Sequence, residues 1–292
     1  MIPKGRLFLI GGAEDKEDGK ERESNNKNFE KFEILKAILP EEGKQRIEII
    51  TTASSVPDET QEMYEEAFKK IGFGKIGFIS MGNNYDTCNP EFVKRIEKAH
   101  AVLLSGGDQF RLSTILGNTD VLSAIKDKYH NDKNFIIAGT SAGAMAASDI
   151  MLTNGEEGND ALLKGTIEMS SGLGLLSHCI IDTHFHKRGR FGRLAQAVVI
   201  NPTCTGIGLC EDTALLIKKG KEAECYGSGT ITLIDPTYVK HTNIAYAEKD
   251  TPVCIQSLKV HIIHKGNKFM LDTRKFIPAK EDMKMEREAK MD

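Results

Sequence analysis

A serine in a glycine-flanked turn is the strongest chemical signal in this sequence. Residues 135–145 read Phe-Ile-Ile-Ala-Gly-Thr-Ser-Ala-Gly-Ala-Met, an apolar run followed by small residues on both sides of Ser141. Such a run predicts a buried strand that turns sharply into a helix and lifts the serine hydroxyl above the sheet edge. The helix start can hold an oxyanion or a bound anion. Ser141 is therefore a candidate nucleophile, with an anion-binding turn as the alternative.

Two further segments carry side chains that could activate this serine. His184 follows an apolar, strand-like run, and the acidic pair Glu211 and Asp212 separates two other apolar runs. A neutral imidazole can take a serine proton, and a carboxylate on its far nitrogen orients the ring and stabilises the imidazolium. These residue types predict a nucleophile, a base and an orienting acid. The alternatives are a structural histidine at a strand end and an exposed acidic turn.

These segments resemble the cyanophycinase family of serine peptidases. Over roughly residues 5–240 the likeness includes Gly11-Gly12-Ala13-Glu14-Asp15-Lys16, Thr51-Thr52-Ala53-Ser54, Gly106-Gly107-Asp108-Gln109 and Ser171-Gly172-Leu173-Gly174-Leu175-Leu176. The resemblance implies Ser141 as nucleophile, His184 as base and Glu211 as orienting acid. It also implies a substrate pocket formed by Gln109, Asp182, Thr183, Arg188, Arg190 and Arg193. Thr183 departs from the family, which commonly has glutamine there, because threonine is shorter and lacks the amide.

Backbone donors for an oxyanion hole are predicted at Gly107 and Ala142. Acyl transfer needs two such N–H groups, and glycine leaves the approach of the substrate carbonyl unobstructed. The Gly11-Gly12 and Gly106-Gly107 pairs follow strands, but neither forms Gly-x-Gly-x-x-Gly or a P-loop with its lysine. A nucleotide site is therefore not supported.

The arginines that follow the candidate base indicate the charge of the substrate. Arg188, Arg190 and Arg193 lie close together in a chain of net charge −3. Because arginine forms two-pronged bonds with carboxylates, the array suits an anionic, aspartyl-type substrate. The alternative is that one or two of the arginines pair with neighbouring carboxylates as structural salt bridges.

Composition excludes several classes of protein. With 39 basic and 42 acidic residues, the chain has no overall electrostatic attraction to nucleic acid or anionic membranes. The six cysteines form no Cys-x-x-Cys pair, which argues against a zinc site and a disulfide framework. No run has the length of a signal-peptide core or a membrane span. We therefore expect a cytoplasmic protein that needs no metal or cofactor.

Short apolar runs alternate with amphipathic stretches in the first half of the chain. Strands are predicted at 7–10, 47–51, 75–79, 101–104 and 135–138, and helices at 28–39, 59–71, 91–99 and 109–116. This alternation implies a flavodoxin-like, three-layer α/β fold with a mainly parallel sheet. Short runs at 206–209, 214–218, 223–226, 229–234 and 258–263 predict C-terminal antiparallel strands that extend or cap that sheet.

The same pattern predicts one domain and the position of its site. Residues 1–292 contain no linker rich in proline, glycine or serine, and 280–292 are expected to form a charged tail. In open α/β sheets ligands bind beyond the carboxyl ends of the strands, where Gly12, Gly106 and Ser141 fall. The charged stretch 14–27 is interpreted either as a lid over these ends or as a solvated insertion.

The resemblance implies a class I glutamine-amidotransferase-like fold and a particular reaction. We expect a serine exopeptidase, a homodimer, that hydrolyses cyanophycin or related β-linked aspartyl peptides. The products would be β-aspartyl-arginine dipeptides, released through an acyl-enzyme. Two alternatives stay open: a dipeptidase for aspartyl or isoaspartyl peptides on the same fold, and a non-catalytic protein that binds small anions with the Ser141 turn and the arginines.

Overall fold

Five parallel strands form one side of a nine-stranded sheet. The computed structural model describes residues 1–16, 26–39, 46–82, 89–155, 158 and 162–288. The parallel strands are β1 (Arg6–Ile10), β2 (Ile47–Ile50), β3 (Ile76–Ile79), β4 (Ala101–Leu104) and β5 (Ile136–Thr140). They lie side by side in the order β1-β5-β4-β2-β3, with β3 at the edge of the sheet. Their mostly apolar and buried sequences fit a sheet covered on both faces.

Helices cover both faces of this sheet. One face carries α1 (Glu33–Ile38) and α2 (Pro57–Lys70), and the other carries α3 (Pro90–Lys98), α4 (Gln109–Leu116) and α5 (Asp120–Asn131). Side chains alternate along a strand, so Leu7 and Leu9 join the core of the second group while Phe8 joins that of the first. The predicted three-layer α/β fold is confirmed.

Some predicted boundaries move and some elements were not predicted. The helix predicted at 28–39 begins only at Glu33, because Phe32 has a left-handed backbone (φ 55°) that a helix cannot include. Helix α5 was not predicted. The expected tail at 280–292 contains α8 (Lys280–Glu288), and its last four residues lie outside the described ranges. Residues 17–25 of the candidate lid also lie outside them.

Antiparallel strands extend the main sheet and build a second one, as predicted for the C-terminal part. Beyond β1 the sheet continues through β10 (Thr213–Lys218), β11 (Glu222–Gly227), β16 (Lys268–Met270) and β17 (Lys275–Ile277). The second sheet has the order β15-β12-β9-β8, from Lys259–Ile263, Ile231–Asp235, Thr205–Leu209 and Cys179–Asp182. Strands β8 and β9 are parallel, so their carboxyl ends lie together.

Smaller elements complete the described chain. They are the hairpins β6 (Ile150–Gly155) with β7 (Ile167–Ser171) and β13 (His241–Thr242) with β14 (Ile255–Gln256), the helices α6 (Ala142–Met145) and α7 (Phe191–Ile200), and a 3₁₀ turn at Pro236–Tyr238. In the ranges that can be described, no helix is long and apolar enough to cross a membrane.

The turn from β5 into α6 depends on close backbone packing. An added Cβ at Gly143 would lie 2.3 Å from the carbonyl oxygen of Leu104, and one at Gly139 would lie 2.5 Å from that of Gly143. Only residues without a side chain allow α6 to sit this close to strands β4 and β5. The short helix is thereby fixed directly behind Ser141.

We expect Gly143→Ala to lower the free energy of unfolding by about 1–3 kcal/mol, because the new methyl group must displace the backbone of β4. Urea denaturation measures this loss. Gly74→Ala is the matched control, since an added Cβ there meets no described atom within 4 Å. Equal stability of the two variants would show that α6 does not depend on this contact.

Candidate active site

Ser141 occupies a strained turn between β5 and α6. Its backbone has φ 51° and ψ −113°, a region that residues other than glycine rarely adopt. The Ser141 N–H donates to the carbonyl of Ile10, 3.0 Å away, which ties the turn to the end of β1. Such strain is found where a nucleophile must stand clear of the sheet.

A chain of hydrogen bonds joins the serine to the histidine and to one acid. Ser141 Oγ lies 3.1 Å from His184 Nε2, and His184 Nδ1 lies 2.7 Å from Glu211 Oε1. An ionised carboxylate only accepts hydrogen bonds, so Nδ1 carries a proton and, in the neutral ring, Nε2 accepts from the serine. This is the arrangement by which a histidine draws a proton from a hydroxyl nucleophile.

Glu211 is held in its ionised form. Burial acts to raise the pKa of its carboxyl group, but hydrogen bonds from His184 and Lys187 outweigh burial and lower that pKa below its ordinary value. The Lys187 ammonium contacts the second carboxylate oxygen, Oε2, at 3.1 Å. The Glu211 side chain can therefore present a negative charge to the imidazole throughout the neutral pH range.

The neighbouring acid, Asp212, has a different environment. Its carboxylate Oδ2 accepts a hydrogen bond of 2.6 Å from Ser228 Oγ. Its backbone N–H donates to the carbonyl of Gly12 at 3.0 Å, and its φ is 49°. The contacts of Asp212 therefore stabilise the loop that follows β9. Glu211 is the carboxylate that contacts the imidazole.

The predicted oxyanion donors belong to the loop after β4 and to the first residue of α6. Gly107 follows β4 with φ 136°, and an added Cβ there would lie 2.0 Å from the carbonyl oxygen of Ala53. Only glycine fits this position. Ala142 is buried as the first residue of α6, directly after Ser141. Gly107 and Ser141 both border a cavity of about 350 Å³, which we call the arginine cavity.

The arginine cavity takes its name from Arg188, Arg190 and Arg193 in its wall. Arg193 makes a two-pronged contact with Asp182, Nε to Oδ2 at 2.6 Å and Nη2 to Oδ1 at 2.5 Å. Arg190 Nη1 donates to Asp182 Oδ1 at 3.2 Å and to the carbonyl of Thr183 at 2.9 Å. Asp182 has no exposed surface. Its carboxylate is therefore placed to hold two arginines rather than to touch a substrate, and Arg188 is the exposed member of the three.

Two other predicted pocket residues line the same cavity. The Gln109 amide Nε2 donates to the carbonyls of Leu152 at 3.0 Å and Thr153 at 2.9 Å, which attaches the β6 hairpin to the site. The hydroxyl of Thr183 is buried and has no hydrogen-bond partner among the described residues. The hairpin also brings Asn154 to the cavity wall, a position that the sequence did not indicate.

The buried carboxylate of Glu14, next to the turn at Ser141, was not predicted as part of the site. Glu14 accepts hydrogen bonds of 2.7 Å from Thr140 Oγ1 and from the Tyr64 hydroxyl, and it pairs with Lys16 at 2.9 Å. Burial acts to raise the pKa of Glu14, but the Lys16 charge and the hydroxyl bonds outweigh it and lower that pKa to about 2. In the sequence, Glu14 and Lys16 belong to the motif Gly11 to Lys16, which carries the family resemblance, and to the stretch 14–27; the burial of Glu14 does not fit a solvated insertion at its start.

Comparison with known proteins defines the class. The model of peptidase family S51 matches residues 8–224. A cyanophycinase from Nostoc sp. is 33% identical over 279 residues, covering 94% of this chain and 89% of that protein. A cyanophycinase from Thermosynechococcus vestitus is 32% identical over 272 residues, covering 92% and 80%. The chain belongs to peptidase family S51, and the predicted family is confirmed.

A solved structure supports the fold. The crystal structure of a peptidase from an acI-B1 Actinobacterium has a TM-score of 0.62 and 20% identity, covering 92% of this chain and 97% of that chain. At this identity the likeness concerns the fold alone. A relative named Peptidase E, from Nostoc sp., is 28% identical over 200 residues and covers 64% of this chain and 77% of that protein.

Replacing Asp182 by asparagine should destabilise the protein strongly. The change removes the buried carboxylate charge that contacts Arg190 and Arg193, and breaking a buried ion pair costs about 3–5 kcal/mol in comparable cases. Urea denaturation of Asp182→Asn measures the loss. Asp272→Asn is the control and should change stability little, because its ion pair with Lys221 lies on the exposed surface. A similar result for both variants would contradict the structural role of Asp182.

Proposed function

We propose that this chain is a serine peptidase that hydrolyses cyanophycin through an acyl-enzyme. The observation that carries the proposal is the hydrogen-bonded chain from Ser141 through His184 to Glu211. Membership of family S51 supports it, as do relatives named cyanophycinase at about 32% identity over most of the chain. The family resemblance implies cyanophycin as the substrate, a polymer with a polyaspartate backbone and arginine on its β-carboxyl groups.

In the proposed acylation step His184 acts as general base. Ser141 Oγ attacks the main-chain carbonyl carbon of an aspartyl unit while its proton moves to Nε2. The Glu211 carboxylate holds the Nδ1–H and stabilises the imidazolium that forms. The N–H groups of Gly107 and Ala142 are assigned to the oxyanion. The imidazolium then protonates the departing nitrogen, the C–N bond breaks and an ester with Ser141 remains.

Deacylation reverses these roles. His184 removes a proton from water, the hydroxide attacks the ester carbon, and the same imidazolium returns its proton to Ser141 Oγ as the C–O bond breaks. One peptide bond and one water molecule are consumed, and no other reactant is needed. The two steps use one histidine alternately as base and acid.

The arginine cavity is assigned to the carboxylates of the substrate. In cyanophycin each unit carries the α-carboxylate of its linked arginine. Arg188 is exposed at the cavity wall, while Arg190 and Arg193 are oriented by Asp182. We assign Gln109 and Thr183 to the same pocket. The shorter Thr183 leaves room where the family commonly places a glutamine amide, so this position is expected to modify the preference for the polymer.

The remaining parts of the proposal rest on the resemblance and on the sequence pattern. They are cleavage from an end of the polymer, a homodimer, a cytoplasmic location and a single domain over residues 1–292. The dipeptidase alternative is not favoured, since the cyanophycinases match 91–94% of the chain and the Peptidase E relative 64%. A non-catalytic anion-binding protein would have no use for an imidazole set between a hydroxyl and a carboxylate.

Ser141→Ala should abolish the release of β-aspartyl-arginine from cyanophycin while leaving the melting temperature near that of the wild type, because one partly exposed hydroxyl is removed and no core packing is lost. Product release can be followed by chromatography. A fluorophosphonate probe should label the wild-type serine and should fail to label His184→Ala. Near-normal turnover by Ser141→Ala would refute the mechanism.

Glu211→Gln should reduce turnover by at least about a hundredfold, since the charge that orients and stabilises the imidazolium is lost while the side-chain size is kept. Asp212→Asn is the matched neighbour and should have a smaller effect, because its carboxylate bonds to Ser228. Steady-state kinetics on cyanophycin compares the two. The reverse order would make Asp212 the orienting acid.

A further inference from the structure

A second cavity opens beside Ser141. It has a volume of about 250 Å³. Its walls include Gly12, Glu14, Lys16, Tyr64, Gly107 and Ser141. We call it the lysine cavity. It shares Ser141 and Gly107 with the arginine cavity and has Lys16 where the other has arginines. A peptide whose carbonyl lies at Ser141 can therefore extend into both cavities, one on each side of the bond that is cut.

The ammonium group in the lysine cavity is held in place. Lys16 Nζ lies 2.9 Å from Glu14 Oε1 and 5.1 Å from the centre of the Tyr64 ring. The Glu14 side chain is fully buried, whereas that of Lys16 keeps 14% of its surface exposed. Glu14 thus anchors the cation from behind, and the ammonium has three N–H donors of which this carboxylate needs one.

The lysine cavity adjoins the imidazole that serves as the proton donor, although His184 itself lines the arginine cavity. Gly12, in its wall, is so close to the imidazole that an added Cβ would lie 2.5 Å from His184 Nε2. The imidazole of His184 therefore packs directly against Gly12 and lies at the boundary between the two cavities. Because Ser141 also lines the lysine cavity and lies 3.1 Å from His184 Nε2, a leaving group in this cavity beside Ser141 would be near its proton donor.

We propose that the lysine cavity binds the departing part of the peptide and that Lys16 recognises its terminal main-chain carboxylate. The inference rests on the proposed function, which assigns the arginine cavity to substrate carboxylates, and we take these to belong to the acyl part. A terminal unit has this carboxylate and an internal unit has an amide in its place. Recognition by Lys16 would thus select the end of a chain, and Glu14 would be the positioning residue that holds Lys16 at the wall.

The test uses a two-unit β-aspartyl-arginine peptide in two forms, with the terminal main-chain carboxylate free or converted to an amide. Wild-type kcat/KM should favour the free acid by about tenfold or more, the effect of a charge-assisted hydrogen bond. Lys16→Met should bring the ratio of kcat/KM for the free acid to kcat/KM for the amide close to one. Lys16→Arg should keep most of the wild-type preference for the free acid. Lys69→Met, on an exposed lysine of α2 paired with Glu65, is the control and should keep the full ratio.

The outcomes distinguish failure of this inference from failure of the proposed function on which it rests. A wild-type ratio near one, or equal losses on both peptides in Lys16→Met, would overturn the role of Lys16 while leaving the peptidase intact. Hydrolysis of neither peptide by a wild type that still reacts with the fluorophosphonate probe would overturn the substrate class, and the inference with it.

Discussion

Three backbone carbonyls at the end of β1 determine the geometry of the whole site. Those of Ile10, Gly11 and Gly12 accept hydrogen bonds of 3.0, 2.9 and 3.0 Å from the N–H groups of Ser141, His184 and Asp212, respectively. The three donors belong to loops that follow β5 of the main sheet and β8 and β9 of the second sheet. One short segment therefore fixes the distance between a nucleophile, a base and an acid that lie on separate strands of two sheets.

This arrangement explains why the segment after β1 contains two glycines. An added Cβ at Gly11 would lie 1.9 Å from the carbonyl oxygen of Cys210, and Gly12 combines φ 95° with close contact to the His184 ring. A side chain at either position would push the end of β1 away from the loops after β8 and β9, where the two sheets contact each other. The residues most critical for the site are therefore ones that carry no chemistry of their own.

The sequence predicted those parts of the site that depend on neighbouring residues. It did not predict contacts between residues that only folding brings together. Ser141 could be predicted from its own neighbours, because a strand followed by small residues and a helix start defines the turn by itself. The hydrogen bond from Gln109 to the β6 hairpin and the contact of Glu14 with Thr140 join residues 43 to 126 positions apart, which no local pattern encodes. The pairing of Asp182 with Arg190 and Arg193 was open between structure and recognition until their burial was known.

Both cavities beside Ser141 hold their basic side chains in the same way. A fully buried carboxylate, Asp182 on one side and Glu14 on the other, holds cationic side chains at a cavity wall. Long basic side chains lose rotamer entropy when they bind a ligand, so holding them in advance lowers the cost of recognition. Glu14 matches the charge of Lys16, whereas Asp182 contributes one negative charge beside the two cations Arg190 and Arg193. In both cavities the donors are therefore oriented before a carboxylate arrives, and this fixed geometry contributes to its recognition.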